Sequence, residues 1–298
     1  MTHAGQIALV TGTTHGIGRV TALELARAGF EVVMLCRNPQ RAAVMRAEII
    51  AEIPDARIRI VSCDLASLSS VRAAADVVRR EVPGIDVLVN NAGIVSTRHR
   101  MSVDGFELTF ATNHLGPFLL TELLRAMLRP SGRLITVASS AHLRGRLDLG
   151  SVADLRARYR PVAAYDRSKL ANVMHSFALA RRLEGSGVTA NCLHPGVVAT
   201  HLLPRWLQLI KPLISPQMLT EKRGAQTTLY LALSAQVAGV SGRYFDEHQR
   251  VQPAAPTARD IQAQEMLWAA SERMTGLAAA PGISGPSPSG QAGWPRSG

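Results

Sequence analysis

The sequence predicts an α/β protein with a single doubly wound parallel sheet of about seven strands and helices on both faces. Short apolar runs alternate with segments of helical periodicity along most of the 298 residues, which is the pattern of strands linked by crossover helices. The runs are apolar on both faces, as expected of strands covered on both sides. A glycine-rich turn joins the first run to the first helical segment. Together these observations favour one large domain.

The individual elements follow from these two periodicities. The predicted strands are short, β-rich runs closed by turn or polar residues, at residues 7–10, 31–36, 58–61, 87–89, 133–137, 188–193 and 242–245. The predicted helices have apolar side chains three and four positions apart, at residues 17–28, 39–52, 68–81, 104–128, 164–184 and 222–235. Their alternation predicts a parallel sheet rather than a meander of hairpins.

The predicted domain spans residues 1–277, and two segments of the chain differ from the rest of it. Residues 201–220 are apolar but interrupted by Pro204 and Pro212, and we expect them to form a lid over a substrate. Packing of the same residues into the core is the alternative. Residues 278–298 are rich in glycine, proline and serine and have no apolar period, so we expect a disordered tail.

The formal charge of +11 would by itself suit a protein that binds nucleic acid or an anionic membrane. The arginines, however, are scattered along predicted helices, as at Arg72, Arg79 and Arg182, and do not form a patch with interleaved aromatic residues. Aromatic residues make up only 4% of the chain. An arginine-rich solvated surface is the favoured interpretation, and we expect no nucleic-acid partner.

Cysteines, histidines and hydropathy exclude other classes of protein. Cys36, Cys63 and Cys192 lie far apart in apolar runs, which is typical of buried thiols in a reducing compartment. The nine histidines show no metal-ligand spacing, so no metal is expected. No stretch approaches the roughly 20 apolar residues of a membrane span, and the N-terminus lacks the pattern of a secretion signal. We therefore expect a cytoplasmic protein without a membrane span.

The glycine-rich turn lies where Rossmann-like folds bind a dinucleotide. Glycines between a strand and a helix let backbone N–H groups approach a pyrophosphate at the helix N-terminus. The turn residues expected to bind the cofactor are Gly12, Thr14, His15, Gly16, Ile17 and Gly18. A tight turn without a ligand is the alternative, and the position between strand and helix argues against it.

The ends of the next strands complete the predicted dinucleotide site. Arg37 and Asn38 follow the second strand, where an NAD site has a carboxylate, so a guanidinium there favours NADP and its 2′-phosphate. An ordinary surface charge is the alternative for Arg37. Asp64 and Leu65 end the third strand and are expected beside the adenine. A small-residue turn that passes under a ribose is expected after the fourth strand, at Asn91, Ala92 and Gly93.

A tyrosine and a lysine four residues apart, Tyr165 and Lys169, carry the most specific chemistry in the sequence. Residues at this spacing share one helical face, so the ammonium can stabilise a phenolate and make the phenol a proton donor near neutral pH. Lysine is scarce here, and the only others are Lys211 and Lys222. The spacing alone leaves open that both are ordinary surface residues.

These motifs stand in the order of the short-chain dehydrogenase/reductase family, which the chain resembles from about Gln6 to Phe245. The shared elements, in order, are the glycine-rich turn, Asp64, Asn90-Asn91-Ala92-Gly93, Asn113, Ser139-Ser140, Tyr165 with Lys169, and Pro195-Gly196 with Thr200. The segments around Asn113, Ser140 and Tyr165 look most like the branch of retinol dehydrogenases and protochlorophyllide reductases.

The resemblance implies a catalytic set of Asn113, Ser140, Tyr165 and Lys169. Tyr165 would exchange a proton with the substrate oxygen, and Lys169 would lower the pKa of Tyr165 and hold the nicotinamide ribose. Ser140 would orient the same oxygen, with Ser139 packed beneath it. Asn113 would hold a water that links the lysine to solvent. The nicotinamide carboxamide would be bound after the sixth strand, by Pro195, Gly196, Val198 and Thr200.

The resemblance thus implies an NADP(H)-dependent oxidoreductase, a carbonyl reductase or alcohol dehydrogenase acting on a ketone, an aldehyde or a secondary alcohol. The apolar lid favours a bulky hydrophobic substrate, and the arginine- and alanine-rich composition favours a bacterial source and a secondary metabolite. Reduction of a C=C or C=N bond, and a dinucleotide-binding sensor without turnover, are the alternatives. The family also implies a homodimer or homotetramer, assembled through the predicted helices at residues 104–128 and 164–184.

Overall fold

Eight strands form one sheet in the computed structural model, which describes residues 3–147, 159–197 and 219–277. The strands are β1 (Ile7–Thr11), β2 (Glu31–Cys36), β3 (Ile58–Ser62), β4 (Ile85–Asn90), β5 (Leu128–Val137), β6 (Thr189–Leu193), β7 (Tyr244–Phe245) and β8 (Val251–Gln252). Their order is β3-β2-β1-β4-β5-β6-β7-β8. The first seven are parallel, and β8 pairs antiparallel with β7. The predicted doubly wound sheet is confirmed, with one short strand more than expected.

Helices connect the strands. They are α1 (Gly16–Arg27), α2 (Pro39–Glu52), α3 (Leu68–Glu81), α4 (Leu108–Phe110), α5 (Gly116–Leu124), α6 (Pro161–Arg182), α7 (Glu221–Leu233), α8 (Pro256–Arg259) and α9 (Ile261–Thr275). The short helix α8 and the longer α9 were not expected from the sequence. Both follow the last strand and extend the domain to residue 277.

The helix predicted at residues 104–128 is wrong in its bounds and its type. Gly105 has φ +81°, which no right-handed helix accommodates, and the buried Glu107 starts the helix by accepting the N–H groups of Thr109 and Phe110, both at 2.8 Å. Residues Ala111–Leu115 then form a π-helical turn before α5 begins. The C-terminal end is shorter too, because β5 already begins at Leu128.

The sheet is covered on both faces, as its strands predicted. One face packs on α1, α2 and α7, through side chains such as Leu25, Met45 and Leu231. The other packs on α3, α5 and α6, through side chains such as Val71 and Phe118. Burial of apolar surface on both sides supplies the main driving force for this arrangement, at about 25 cal/mol per Å².

Helix α9 lies across α5 and α6 on the outer side of the second face. The Trp268 ring is 5.1 Å from Phe118 and 5.5 Å from His175, and the Arg182 guanidinium lies 3.8 Å from the centre of the Trp268 ring. His114, beside α5, is 2.8 Å from the Ser271 hydroxyl. Helix α9 therefore contacts the two helices predicted to form a subunit interface, and assembly through them stays a prediction.

Three further expectations concern cysteines, metals and membranes. Cys36, Cys63 and Cys192 are buried and free. In the described part of the chain, no three histidine, cysteine or acidic side chains are grouped to hold a metal ion. No described helix is both long and apolar enough to cross a bilayer. The predicted lid lies outside the described residues except for its last two positions, and the predicted tail at residues 278–298 lies outside them entirely.

Candidate active site

The site lies where β1 and β4 lie side by side at their carboxyl ends. In this topology the chain continues from β1 to one side of the sheet and from β4 to the other, which opens a crevice above the two strands. Thr11 ties the two strand ends together, because its hydroxyl accepts the N–H groups of Asn91 at 2.9 Å and Ala92 at 3.0 Å. The Asn91 amide donates in turn to the Thr11 carbonyl at 2.8 Å.

The glycine-rich turn requires its glycines. Gly12 has φ +73°, and a Cβ there would lie 2.9 Å from Ala92. A Cβ on Gly18 would lie 2.3 Å from the Gly12 carbonyl oxygen, and Gly16 has φ +63°. His15 precedes α1 but makes no side-chain cap to it. A helix N-terminus that follows a glycine-rich turn is a position where proteins bind anions.

The remaining predicted cofactor residues occupy the neighbouring strand ends. Arg37 is exposed directly after β2, whereas the Asn38 side chain caps α2 by accepting the Arg41 N–H at 2.9 Å. The Asp64 carboxylate accepts the Ala66 N–H at 3.0 Å and is partly exposed. Leu65 is buried. These strand ends lie on the same edge of the sheet as the glycine-rich turn.

Asn113 lies in the π-helical turn and joins the loop after β4 to α6. Its side-chain oxygen accepts the Ile94 N–H at 2.8 Å, and its amide donates to the Ile94 carbonyl at 3.0 Å and to the Ser168 hydroxyl at 2.9 Å. Ser168 donates to the Tyr165 carbonyl at 2.8 Å. The fully buried Asn113 thus holds the backbone that carries Tyr165. Ser168, one turn after the tyrosine, was missed by the sequence reasoning.

Lys169 is buried beneath the same loop. Its ammonium donates to the carbonyl of Val137, the last residue of β5, at 2.8 Å. A Cβ on Gly93 would lie 3.4 Å from this Nζ, so the loop after β4 passes directly over the ammonium. Burial lowers the pKa of Lys169 to about 8. An ammonium has three donors, and within the described contacts two remain for a ligand.

Burial raises the pKa of Tyr165 above its ordinary value. The Ser139 side chain acts in the opposite direction, and the Asp166 carboxylate raises the pKa further. The Lys169 Nζ is 5.6 Å from the centre of the Tyr165 ring. Desolvation of the phenolate is the largest effect on this pKa, and the lowering of the phenol pKa by Lys169 stays a prediction.

Ser139 lowers the pKa of Tyr165, and the choice of Ser140 as the serine that orients the substrate oxygen stays a prediction. Continued alternation from β5 would put Ser140 on the α6 side, but β5 ends at Val137 and a 3-10 helix begins at Ser140. Ser139 caps that helix, with its hydroxyl accepting the Ala141 N–H at 3.2 Å, while Ser140 is exposed. A serine directly before a helical turn is a capping signal that could have found it.

Pro195 and Gly196 form the turn after β6. Gly196 has φ +77°, and its N–H donates to Nδ1 of His194 at 3.2 Å. The His194 Nε2 is 2.9 Å from the Glu247 carboxylate, so the histidine clamps the turn against the segment after β7. His194 and Glu247 were also missed by the sequence reasoning. Val198 and Thr200 lie outside the described residues.

Comparison with known proteins agrees with this geometry. The family model described as short chain dehydrogenase matches residues 6–208. Retinol dehydrogenase 13 of Homo sapiens is 39% identical over 293 residues, which cover 92% of this chain and 86% of that protein. A crystal structure of an uncharacterized protein from Mycobacterium paratuberculosis has a TM-score of 0.75 and 36% identity, covering 92% of this chain and 95% of that one.

A second solved structure, a blue fluorescent protein from a metagenomic library in complex with NADPH, has a TM-score of 0.68 and 26% identity. That match covers 83% of this chain and 97% of that one. The family model spans more than half of the chain, and the relative of known name aligns along nearly all of it. The chain therefore belongs to the short-chain dehydrogenase/reductase family, in its retinol-dehydrogenase-like branch.

Proposed function

We propose that this oxidoreductase is an NADP(H)-dependent carbonyl reductase or alcohol dehydrogenase that acts on a bulky hydrophobic ketone, aldehyde or secondary alcohol. One observation carries the proposal. A phenol, a serine hydroxyl and a buried ammonium, those of Tyr165, Ser139 and Lys169, lie at the edge of the sheet where the glycine-rich turn opens α1. Proton donors next to a dinucleotide-binding turn are what hydride transfer to a carbonyl carbon requires.

The described residues fit a nicotinamide dinucleotide. The open N-terminus of α1 would hold the pyrophosphate, and the two remaining donors of Lys169 would bind ribose hydroxyls. Arg37 would pair with a 2′-phosphate, and the turn at Gly196 would lie at the carboxamide. When bound, the nicotinamide supplies or accepts the hydride.

The chain's own residues donate or accept the proton that accompanies hydride transfer. Because burial raises the pKa of Tyr165, the phenol is protonated at neutral pH and can donate to a carbonyl oxygen. The Ser139 oxygen already accepts the Ala141 N–H, so its own proton is available to the same substrate oxygen. Lys169 titrates near 8, close enough to neutrality to share a proton with hydroxyl groups bound to it.

Exposed apolar side chains near these residues support a hydrophobic substrate. Leu143 follows the serine segment and is 58% exposed, Val162 precedes Tyr165 in α6 and is 63% exposed, and Val197 follows Gly196 and is 64% exposed. Each lies within four residues of a residue of the site. Exposed apolar side chains that follow or precede site residues in the sequence support a site that takes up a weakly polar ligand.

Replacement of Tyr165 by phenylalanine tests the proposal. We expect the affinity for NADPH, measured by fluorescence, to stay unchanged, and NADPH oxidation with a panel of hydrophobic ketones and aldehydes to fall by about 10²- to 10⁴-fold. Tyr230→Phe, on α7 with its hydroxyl 3.3 Å from Gln236, is the matched control and should turn over normally. An unchanged rate in Tyr165→Phe would remove this residue from the mechanism.

The same panel separates the alternatives. Binding of NADPH without turnover of any compound would favour the dinucleotide-binding sensor. An enone substrate distinguishes reduction of the carbonyl, which yields an alcohol, from reduction of the C=C bond, which yields a saturated ketone, and an imine tests the C=N bond. The choice of NADP, the oligomeric state, the bacterial source and the cytoplasmic location stay predictions from the sequence.

A further inference from the structure

His194 is a partly buried histidine whose two ring nitrogens both have partners. Nδ1 lies 3.2 Å from the backbone nitrogen of Gly196, two residues further along the chain, and Nε2 lies 2.9 Å from the carboxylate of Glu247. A backbone N–H can only donate, so Nδ1 accepts, and the proton of the neutral ring is on Nε2 and is donated to Glu247. Burial lowers the pKa of His194, which agrees with a neutral ring at pH 7.5.

The two partners of His194 belong to different parts of the chain. Gly196 lies in the turn after β6, and Glu247 lies two residues after the end of β7. His194 itself is held by β7, because its backbone N–H donates to the carbonyl of Phe245 at 2.9 Å and its ring stacks on Tyr244 with ring centres 5.8 Å apart. His194 therefore connects the turn after β6 to the end of β7 and to the segment that follows it.

The same turn is packed on two sides. Gly196 has φ +77°, and a Cβ there would lie 2.5 Å from the side chain of Leu219 and 3.3 Å from the Cβ of Glu247. The backbone N–H of Leu219 donates to the carbonyl of Val197 at 2.9 Å. The turn thus lies between Glu247 and the segment that leads into α7, and the bonds of His194 tie it to the first of these.

We propose that His194 is a positioning residue for the nicotinamide, and that its bonds to Gly196 and Glu247 hold the turn after β6 in the conformation that receives the carboxamide. The inference rests on the proposed function, in which this turn lies at the carboxamide. The side chains of His194 and Glu247 are only 16% and 29% exposed, so water competes with their bond less than it does with a surface ion pair. Loss of this bond would free the ring and, with it, the N–H of Gly196.

Replacements at both ends of the bond separate its geometry from its charge. His194→Phe keeps a ring on Tyr244 and loses both hydrogen bonds, and Glu247→Ala loses the acceptor. Glu247→Gln removes the charge but keeps an oxygen that can accept the Nε2–H. His248→Phe is the matched control, because this exposed histidine lies 3.8 Å from the other oxygen of the same carboxylate.

The deciding measurement compares the affinity for NADPH with the affinity for 2′-phospho-ADP-ribose, which lacks the nicotinamide. We expect His194→Phe and Glu247→Ala to bind NADPH about tenfold more weakly and the fragment within about twofold of wild type. Glu247→Gln and His248→Phe should bind both ligands as the wild-type chain does. A general loss of structure would weaken both ligands alike, so the ratio reports positioning. If the chain prefers NADH, then NADH and ADP-ribose are the pair compared.

The double variant His194→Phe with Glu247→Ala tests whether the two residues act through one bond. Its affinity for NADPH should be no lower than that of the weaker single variant, because the second change removes nothing more. Additive losses would overturn the proposal, as would an unchanged ratio in both single variants or a loss in Glu247→Gln as large as in Glu247→Ala. Thermal unfolding identifies variants that do not fold, and Glu247→Ala tests the proposal if His194→Phe is one of them.

One measurement needs neither a ligand nor turnover. In ¹⁵N NMR spectra of the wild-type chain we expect His194 as the neutral Nε2–H tautomer at pH 7.5, and an Nδ1–H tautomer or an imidazolium would overturn the proposal. If the wild-type chain bound NADPH but reduced no carbonyl compound, the proposed function would fail and the affinity ratio would still decide the role of His194. If it turned over normally and the ratio stayed unchanged in both single variants, only the role of His194 would fail.

Discussion

Replacing Ser139 by alanine, with Ser140→Ala as the matched control, decides which of two adjacent hydroxyls takes part in the reaction. The two variants remove the same atom from neighbouring residues. Ser139 is partly buried and lowers the pKa of Tyr165, whereas Ser140 is exposed. A sequence-based assignment predicts that the second loses activity, and the geometry predicts that the first does.

The magnitude follows from what each hydroxyl contacts. Removal of one donor from an oxygen that gains charge in the transition state costs about 10²- to 10³-fold in kcat, or about 2.7–4 kcal/mol. Ser139→Ala also loses the cap to the Ala141 N–H, which costs about 0.5–2 kcal/mol of stability. It further removes the interaction that holds down the pKa of Tyr165, so the phenol should titrate at higher pH. Ser140→Ala should change stability by less than about 0.5 kcal/mol.

The assay is single-turnover oxidation of bound NADPH by a carbonyl compound that the wild-type chain accepts, followed by absorbance at several pH values. Urea unfolding of both variants separates the catalytic loss from the loss of the cap. We expect Ser139→Ala to be slow and Ser140→Ala to turn over within about twofold of wild type. A slow Ser140→Ala with a normal Ser139→Ala would refute the assignment and restore the serine predicted from the sequence.

Three further outcomes are expected. Arg37→Ala should weaken NADPH relative to NADH by at least about tenfold, since a charge-assisted hydrogen bond contributes about 1.5–3 kcal/mol, and Arg46→Ala on the exposed side of α2 should not. The rate of carbonyl reduction should fall as the pH rises through about 8, where Lys169 loses its charge. The rate of Lys169→Met should be low at every pH and should not show this fall. Burial lowers the pKa of His114 and lowers that of His175 to about 3. Below pH about 6.5 the unfolded chain therefore binds protons that the folded chain does not, and the free energy of unfolding should fall by up to about 1.4 kcal/mol per pH unit for each histidine. Urea titrations between pH 7.5 and 5.5 measure this dependence on pH, and it should be weaker in His175→Phe.

The sequence predicts best those helices whose first residue is marked by a capping residue next to it. Helices α2 and α3 have the predicted bounds, because Asn38 before Pro39 and Ser67 before Leu68 are local capping signals ahead of a clear apolar period. Helix α9 carries the same kind of signals, Asp260 at its start and Gly276 in a left-handed conformation at its end, and was nevertheless overlooked. The π-helical turn, in contrast, depends on the contacts of Asn113 with Ile94 and Ser168, which lie far apart in the sequence.

In the site, too, local sequence patterns are predicted well and features that depend on distant residues are not. The glycine-rich turn and the spacing of Tyr165 and Lys169 are local patterns, and the structure brings both to one edge of the sheet. The choice of Ser140 comes from its position in the family motif, whereas the end of β5, just before the two serines, is open in the sequence by a residue or two. The pKa of Tyr165 depends on its burial among other elements, which no spacing along one helix reveals.

The π-helical turn at Ala111–Leu115 rotates the side chains that follow it relative to the side chains that precede it. A π turn accommodates one residue more than an α turn, so residues before and after it differ by about 100° from their places on a straight α-helix. Deletion of a single residue here would let the helix relax to the α form and rotate either Asn113 away from Ser168 or Phe118 out of the core. The chain can thus lose its site through a change of length that leaves every residue of the site in place, and a scan of substitutions would never detect that dependence.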